Sequence, residues 1–112
     1  MRLAIPLTNG VLAQHFGHCE RFALLEVDVA TRAIVARTEV EAPEHKPGLL
    51  PVWLKERGVT HVIAGSMGSR ARSLFAEVSI HVITGAKSEP AIAVAGAYMA
   101  GALVTGANTC DH

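Results

Sequence analysis

The chain has no excess of charge of either sign, because ten lysines and arginines are balanced by ten aspartates and glutamates among its 112 residues. General nucleic-acid-binding domains carry a strong positive surplus, so the composition argues against that class. No apolar run approaches the roughly 18 residues of a membrane-spanning helix. The run that ends at Pro6 is also too short for a signal peptide. We therefore expect a soluble, cytoplasmic protein that binds neither nucleic acid nor membrane.

Aspartate and cysteine are scarce as well. The aspartates are Asp28 and Asp111, and the first apolar run contains no acidic residue. A nuclease that works with two metal ions needs clustered carboxylates, so this activity is not expected. The two cysteines, Cys19 and Cys110, lie far apart in a chain without an export signal. We expect them to be reduced thiols rather than a disulfide.

Half of the residues are apolar, which is enough for the core of one domain spanning residues 1–112. Apolar runs predict strands over residues 2–7, 21–29, 33–41, 59–64 and 79–83. Helical spacing predicts three helices: one from about Leu50 to just before Gly58, one after residues 65–69, and one capped by Ser88. The side chains that we expect to pack together in the core are Leu3, Ile5, Trp53, Val62, Ile63, Leu74, Phe75 and Val82.

The order of these elements predicts the fold class. Residues 21–29 and 33–41 are separated by a three-residue link, which predicts an antiparallel hairpin. The second strand of that hairpin drifts into polar alternation and should lie at a sheet edge. Strands and helices then alternate, as in parallel α/β units. We predict an α/β fold with a mixed five-stranded sheet and helices on both faces, either a monomer or a weak homodimer.

Metal-binding side chains are concentrated in His15-Phe16-Gly17-His18-Cys19. Imidazole and thiolate bind borderline and soft metals, and a glycine between them lets the backbone turn so that donors converge. We interpret Phe16 as the hydrophobic anchor of this loop. Cys19 has polar neighbours, which favours metal contact over burial, although many free cysteines are small core residues.

A second candidate segment is the turn Gly65-Ser66-Met67-Gly68, followed by Arg70. In parallel α/β units ligands bind beyond the carboxyl ends of the strands, so this turn should lie close to the loop that contains His15. Backbone amides at the start of the helix, together with Arg70, could hold an anion. The alternative is that both glycines only shape a turn.

Further donors lie in His45, within a Pro/Gly loop, and in Cys110 and His112 at the end of the chain. His45 could reach the site or be an exposed bystander, and terminal residues are often disordered. If Cys19 and Cys110 are both ligands, the fold must bring the two ends of the chain together. His61 and His81 begin strands, so they should lie at the opposite end of the sheet, and we leave them out of the site.

Four segments together resemble the dinitrogenase iron-molybdenum cofactor biosynthesis domain family. These segments are residues 2–6, 15–19, 62–68 with Arg70, and 108–112. The resemblance implies a ribonuclease H-like three-layer fold and the binding of iron-molybdenum cofactor or its precursors. The family also includes an orange protein that holds a molybdenum-copper sulfide cluster.

These observations lead us to expect a non-enzymatic carrier or assembly protein for a metal-sulfur cluster of iron-molybdenum or molybdenum-copper type. Its partners would be the metallocluster and the proteins that donate or accept it. The expected metal ligands are Cys19, Cys110, His15, His18, His45 and His112. The expected cofactor contacts are His15, Phe16, Gly17, Gly65, Ser66, Met67, Gly68 and Arg70. Two alternatives remain: an interaction or regulatory module without metal, and an enzyme with a cysteine nucleophile activated by His15 or His18.

Overall fold

The computed structural model describes residues 1–44, 46, 48–103 and 105–106. Its sheet is mixed. Its strands in chain order are β1 (Arg2–Thr8), β2 (Val11–Leu12), β3 (Arg21–Asp28), β4 (Ala33–Glu41), β5 (His61–Ile63) and β6 (His81–Ile83). The spatial order is β4-β3-β1-β5-β6, and β2 pairs with the end of β1. Strand β1 is antiparallel to β3 and parallel to β5, and β5 is parallel to β6.

The predicted α/β class is confirmed, and the predicted hairpin is β3 and β4, with β4 at the edge of the sheet. The structure adds one strand to the expected five, because Val11 and Leu12 pair with Thr8 and Leu7 within a segment that we expected to be a loop. The ribonuclease H-like label stays a prediction. None of the helices in the described part of the chain is long and apolar enough to cross a bilayer.

The three helices are α1 (Leu49–Glu56), α2 (Ser69–Glu77) and α3 (Ala91–Met99). Pro51 is the third residue of α1, where it removes no helical hydrogen bond. Gly58 follows α1 with a positive φ of 78°, which glycine adopts without strain. The predicted Ser88 cap is wrong. Pro90 is the N-cap of α3, and the Ser88 hydroxyl instead accepts a hydrogen bond from Nε2 of the Gln14 side chain.

The core is divided between the two faces of the sheet, because side chains alternate along a strand. Leu3 and Ile5 lie on the face that α3 covers, whereas Ala4 lies on the face covered by α1 and α2. Our expectation of one mutually packed set was therefore wrong. Leu3, Ile5 and Ile63 belong to the α3 side, and the α1 and α2 side contains Trp53, Val62, Phe75 and Val82. Leu74, the remaining member of that set, is only half-buried.

Candidate functional site

The loop that follows β2 and the loop that follows β5 meet at the end of the sheet where β5 ends. A parallel bridge between His15 and Ser66 joins their backbones. The Ser66 amide donates to the Gln14 carbonyl at 2.9 Å, and the Phe16 amide donates to the Ser66 carbonyl at 3.0 Å. The prediction that the two candidate segments lie close together is thus confirmed, and backbone hydrogen bonds fix their separation.

Gly65 makes this approach possible. A Cβ atom at this position would lie 2.9 Å from the Gln14 carbonyl oxygen and 3.1 Å from that of Ala13. The first distance is one that Cβ atoms in proteins almost never show, the second is tight, and both neighbours are backbone atoms that cannot rotate away. Gly68, in contrast, would place a Cβ in open space. Gly65 therefore positions the loops and does not itself line the cavity described next.

A cavity of about 350 Å³ opens between these loops, the start of α2 and the first turn of α1. Its lining includes eight residues predicted from sequence: His15, Phe16, Gly17, His18, Ser66, Met67, Gly68 and Arg70. It also includes residues that sequence reasoning missed: Lys46, Gly48, Leu50, Pro51, Ala71 and Leu74. Lys46 is the basic residue of the loop before α1, which is the signal that could have identified it.

The charges around this cavity have one sign. Lys46 and Arg70 are cationic, two imidazoles are present, and no aspartate or glutamate belongs to the described lining. Helix α2 has no side-chain cap, so the amides of its first turn are among the donors that a helix leaves without an internal partner. Positive charge at a helix N-terminus is mildly unfavourable, and a bound anion would offset that cost. The cavity is therefore suited to an anion.

Other residues that line the cavity are apolar, and one of them is polarisable. Met67 is buried and contributes a polarisable thioether, while Leu50, Pro51 and Leu74 are the aliphatic neighbours. Phe16 is also buried, with its ring 5.4 Å from that of Phe75. Its predicted role as the anchor of the loop agrees with this packing. An anion with a large, polarisable surface matches these walls better than a small, strongly hydrated one.

The family model for dinitrogenase iron-molybdenum cofactor matches residues 1–101 of the chain. The chain belongs to this family. Protein MJ0580 of Methanocaldococcus jannaschii is 27% identical over 85 residues, which cover 73% of this chain and 72% of that protein. The crystal structure of PH0822 is 28% identical with a TM-score of 0.86 and covers 94% of each chain. The apo form of the orange protein from Desulfovibrio gigas shares the fold, with a TM-score of 0.71, 20% identity and coverage of 96% of this chain and 93% of that one.

In this member of the dinitrogenase iron-molybdenum cofactor family, the cavity offers imidazoles but no closed cage for a single ion. The rings of His15 and His18 are 6.3 Å apart between centroids and nearly perpendicular. Within the described residues, no three His, Cys, Asp or Glu side chains converge to hold a metal ion. Predicted ligands His45, Cys110 and His112 lie outside those residues, and so does the expected approach of Cys110 to Cys19.

Cys19 does not line the cavity. It is half-buried and packs against the core on the α1 and α2 side, so the expectation that it lies outside the core was wrong. Burial raises the pKa of its thiol to about 11, which keeps it protonated at neutral pH. The polar neighbours His18 and Glu20 are themselves exposed, whereas Cys19 between them packs against the core. A ligand role for Cys19 stays a prediction that this geometry does not support.

The histidines that we left out of the site are at the other end of the sheet, as expected. His61 and His81 are paired in register at the starts of β5 and β6, with their rings stacked at 5.0 Å. Burial is the main cause that lowers the pKa of His61, and the proximity of His81 adds to it. These side chains are remote from the cavity.

Proposed function

We propose that this protein binds and carries an anionic metal-sulfur cluster, of iron-molybdenum or molybdenum-copper type, in the cavity between the loops after β2 and β5. The observation that supports this most directly is the lining of that cavity, where cations and imidazoles meet without any described carboxylate. Membership of the dinitrogenase iron-molybdenum cofactor family supplies the class of cargo.

The donor chemistry of the cavity fits a preassembled cluster better than a bare ion. Iron-sulfur clusters are usually held by cysteine thiolates. No cysteine belongs to the described lining of this cavity, so we propose that a cluster with its own sulfide ligands is held here by charge, hydrogen bonds and few protein donors. His15 and His18 can supply imidazole nitrogens, and Met67 a soft thioether. Lys46, Arg70 and the first amides of α2 would offset the negative charge of the cluster. A divalent cation would instead be repelled by Lys46 and Arg70.

The proposed role is transport or assembly without catalysis. A nucleophilic cysteine would need to be a thiolate close to a base. Cys19 is not in the cavity with His15 and His18, and burial holds its pKa well above neutrality. Both observations favour a carrier over that enzyme. Transfer of the cluster would then involve donor and acceptor proteins.

Anaerobic reconstitution tests this function. Protein purified without oxygen would be incubated with tetrathiomolybdate, with or without Cu(I), and desalted. Retained molybdenum would then be measured by elemental analysis and visible absorption. Cluster binding predicts a coloured protein with a stoichiometric metal content. A colourless protein without molybdenum, copper or iron, under all conditions and after native anaerobic purification, would refute the carrier role and favour the alternative interaction module.

A matched pair of variants on α2 locates the binding site. Arg70 lines the cavity and Arg72 does not, although both lie near the start of the same helix. We expect Arg70→Gln to weaken tetrathiomolybdate binding about fivefold at low salt, which corresponds to about 1 kcal/mol for an exposed charge pair. Arg72→Gln should have a smaller effect. Equal effects of both variants would indicate attraction by net charge and not a site at this cavity.

A further inference from the structure

Ser66 is the buried polar side chain of the described structure. It is 4% exposed, and every other polar or charged side chain within the described ranges is more exposed to solvent. A buried hydroxyl must have hydrogen-bond partners, since leaving it unsatisfied costs about 1–3 kcal/mol. Alanine would pack at this position without that requirement. The presence of a serine therefore indicates that the hydroxyl has a specific role.

Among the described residues, the Ser66 hydroxyl contacts Gln14 and His15 on the other loop. Its Oγ donates to the Gln14 carbonyl oxygen at 2.6 Å, and it lies 3.1 Å from Nδ1 of His15. A hydroxyl has a single proton to donate, and a carbonyl oxygen can only accept. Because the proton of Ser66 is directed to Gln14, the contact with His15 requires Nδ1 to be the donor. The neutral imidazole then carries its lone pair on Nε2.

We propose that Ser66 is a positioning residue that fixes His15 as the Nδ1-protonated tautomer, so that Nε2 is the nitrogen whose lone pair coordinates the cargo. This inference rests on the proposed carrier function and adds to it the atom through which His15 acts. The geometry is the one by which proteins orient metal-binding histidines, with the second ring nitrogen held by a hydrogen bond. The chain Gln14 carbonyl, Ser66 hydroxyl, His15 Nδ1 has a single consistent direction of donation.

The backbone ensures that the ring and the hydroxyl meet. The amide and carbonyl of Ser66 are bonded to the opposite loop on either side of His15, at 2.9 and 3.0 Å. These two bonds do not involve the hydroxyl. Replacement of Ser66 by alanine should therefore leave these two backbone bonds in place, while it removes the contacts of the hydroxyl with the Gln14 carbonyl and with the His15 ring. Threonine keeps the hydroxyl and is the conservative variant.

The tautomer can be measured without any bound metal. In apo-protein with ¹⁵N-labelled histidine, long-range proton-nitrogen correlation at about pH 8, where free imidazole is neutral, distinguishes the two tautomers. We expect wild-type His15 to carry its proton on Nδ1, and Ser66→Thr to retain this state. Ser66→Ala should shift the population toward Nε2 protonation. A wild-type ring protonated on Nε2, or a Ser66→Ala ring unchanged from wild type, would overturn the proposal.

Binding of tetrathiomolybdate gives the second measurement. Ser66→Ala should weaken it about 10- to 100-fold, the usual effect of removing a residue that orients a metal ligand, while Ser66→Thr retains affinity. Ser73→Ala, the same change on the exposed side of α2, is the control for the substitution itself. Unchanged affinity in Ser66→Ala despite a shifted tautomer would also overturn the proposal. Absence of binding to wild type would refute the carrier function instead, while the tautomer measurement would still decide the role of Ser66.

Discussion

Replacing Gly65 by alanine should separate the two loops that form the site. The added Cβ would lie 2.9 Å from the Gln14 carbonyl oxygen and 3.2 Å from its Cα. Both are backbone atoms, so the strain can be relieved only if one loop moves by several tenths of an ångström. That movement lengthens the hydrogen bonds by which Ser66 joins Gln14 and Phe16.

The expected loss of stability follows from these contacts. Overpacking of this kind costs about 1–3 kcal/mol. Three weakened hydrogen bonds contribute at most about 1 kcal/mol each, and they are part of the same displacement rather than an addition to it. Alanine also restricts the unfolded chain, which returns about 0.4–1 kcal/mol. We therefore expect the free energy of unfolding to fall by about 1–2 kcal/mol in Gly65→Ala.

Urea denaturation followed by circular dichroism measures this difference. Gly68→Ala is the matched control, because the same substitution in the same turn meets no atom within 4 Å. The gain of about 0.4–1 kcal/mol from the unfolded chain applies here too, but Gly68 is the N-cap of α2, where alanine is disfavoured, and this cost offsets the gain. The free energy of unfolding of Gly68→Ala should therefore stay within about 0.5 kcal/mol of wild type. Equal stabilities of the two variants would refute the reasoning, since they would show that the loops are not held at the distance seen in the structure. Tetrathiomolybdate binding should also weaken in Gly65→Ala, and by more than the fraction of unfolded protein would account for.

Three further predictions concern the core and the titrating groups. Phe75→Ala should lower the free energy of unfolding by about 3–5 kcal/mol, because this ring is fully buried; a loss below about 1 kcal/mol in urea denaturation would contradict its placement. Cys19 should react slowly with iodoacetamide at neutral pH in a Cys110→Ser background, and faster as the pH approaches its pKa of about 11. The stability of the fold should also decline over that alkaline range, because the thiol of the unfolded chain loses its proton at a lower pH than the buried thiol does. Fast alkylation at neutral pH would instead show that the thiol is exposed. Stability should fall as the pH drops below about 6.5, because burial and then His81 lower the pKa of His61 below that value and the unfolded chain takes up the proton more readily. A His61→Gln variant with the same decline would assign it to other groups.

The cavity shows how far local sequence can predict a site in this protein. His15, His18, Ser66 and Arg70 could be grouped from residue order alone, because parallel strands present their following loops at the same edge of the sheet. Lys46 and the first turn of α1 could not be added to them. Their position depends on how α1 packs beside α2, and hydrophobic periodicity gives the inward face of a helix but not its neighbours.

Cys19 shows the opposite limit. Its polar neighbours predicted an exposed ligand, yet the segment between the 3-10 turn Phe16–His18 and β3 turns the thiol toward the core. Burial in a loop has no periodic signal, so composition alone gave the wrong environment. Sequence likewise could not distinguish a turn-forming Gly65 from one required by close backbone approach, since both patterns look the same in one chain.

Residue order and periodicity were enough to predict the alternation of strands and helices, the hairpin of β3 and β4, and the proximity of the two loops that line the cavity. These features depend on residue order, on periods of two and 3.6 residues, and on the fixed geometry of parallel strands. Three features are seen only in the folded structure. The core is divided between two faces of the sheet, Cys19 lies outside the cavity, and the Ser66 hydroxyl is oriented so that His15 donates from Nδ1. Each of these depends on contacts between residues distant in sequence, whose distances and directions are set by packing and are not encoded in any local pattern.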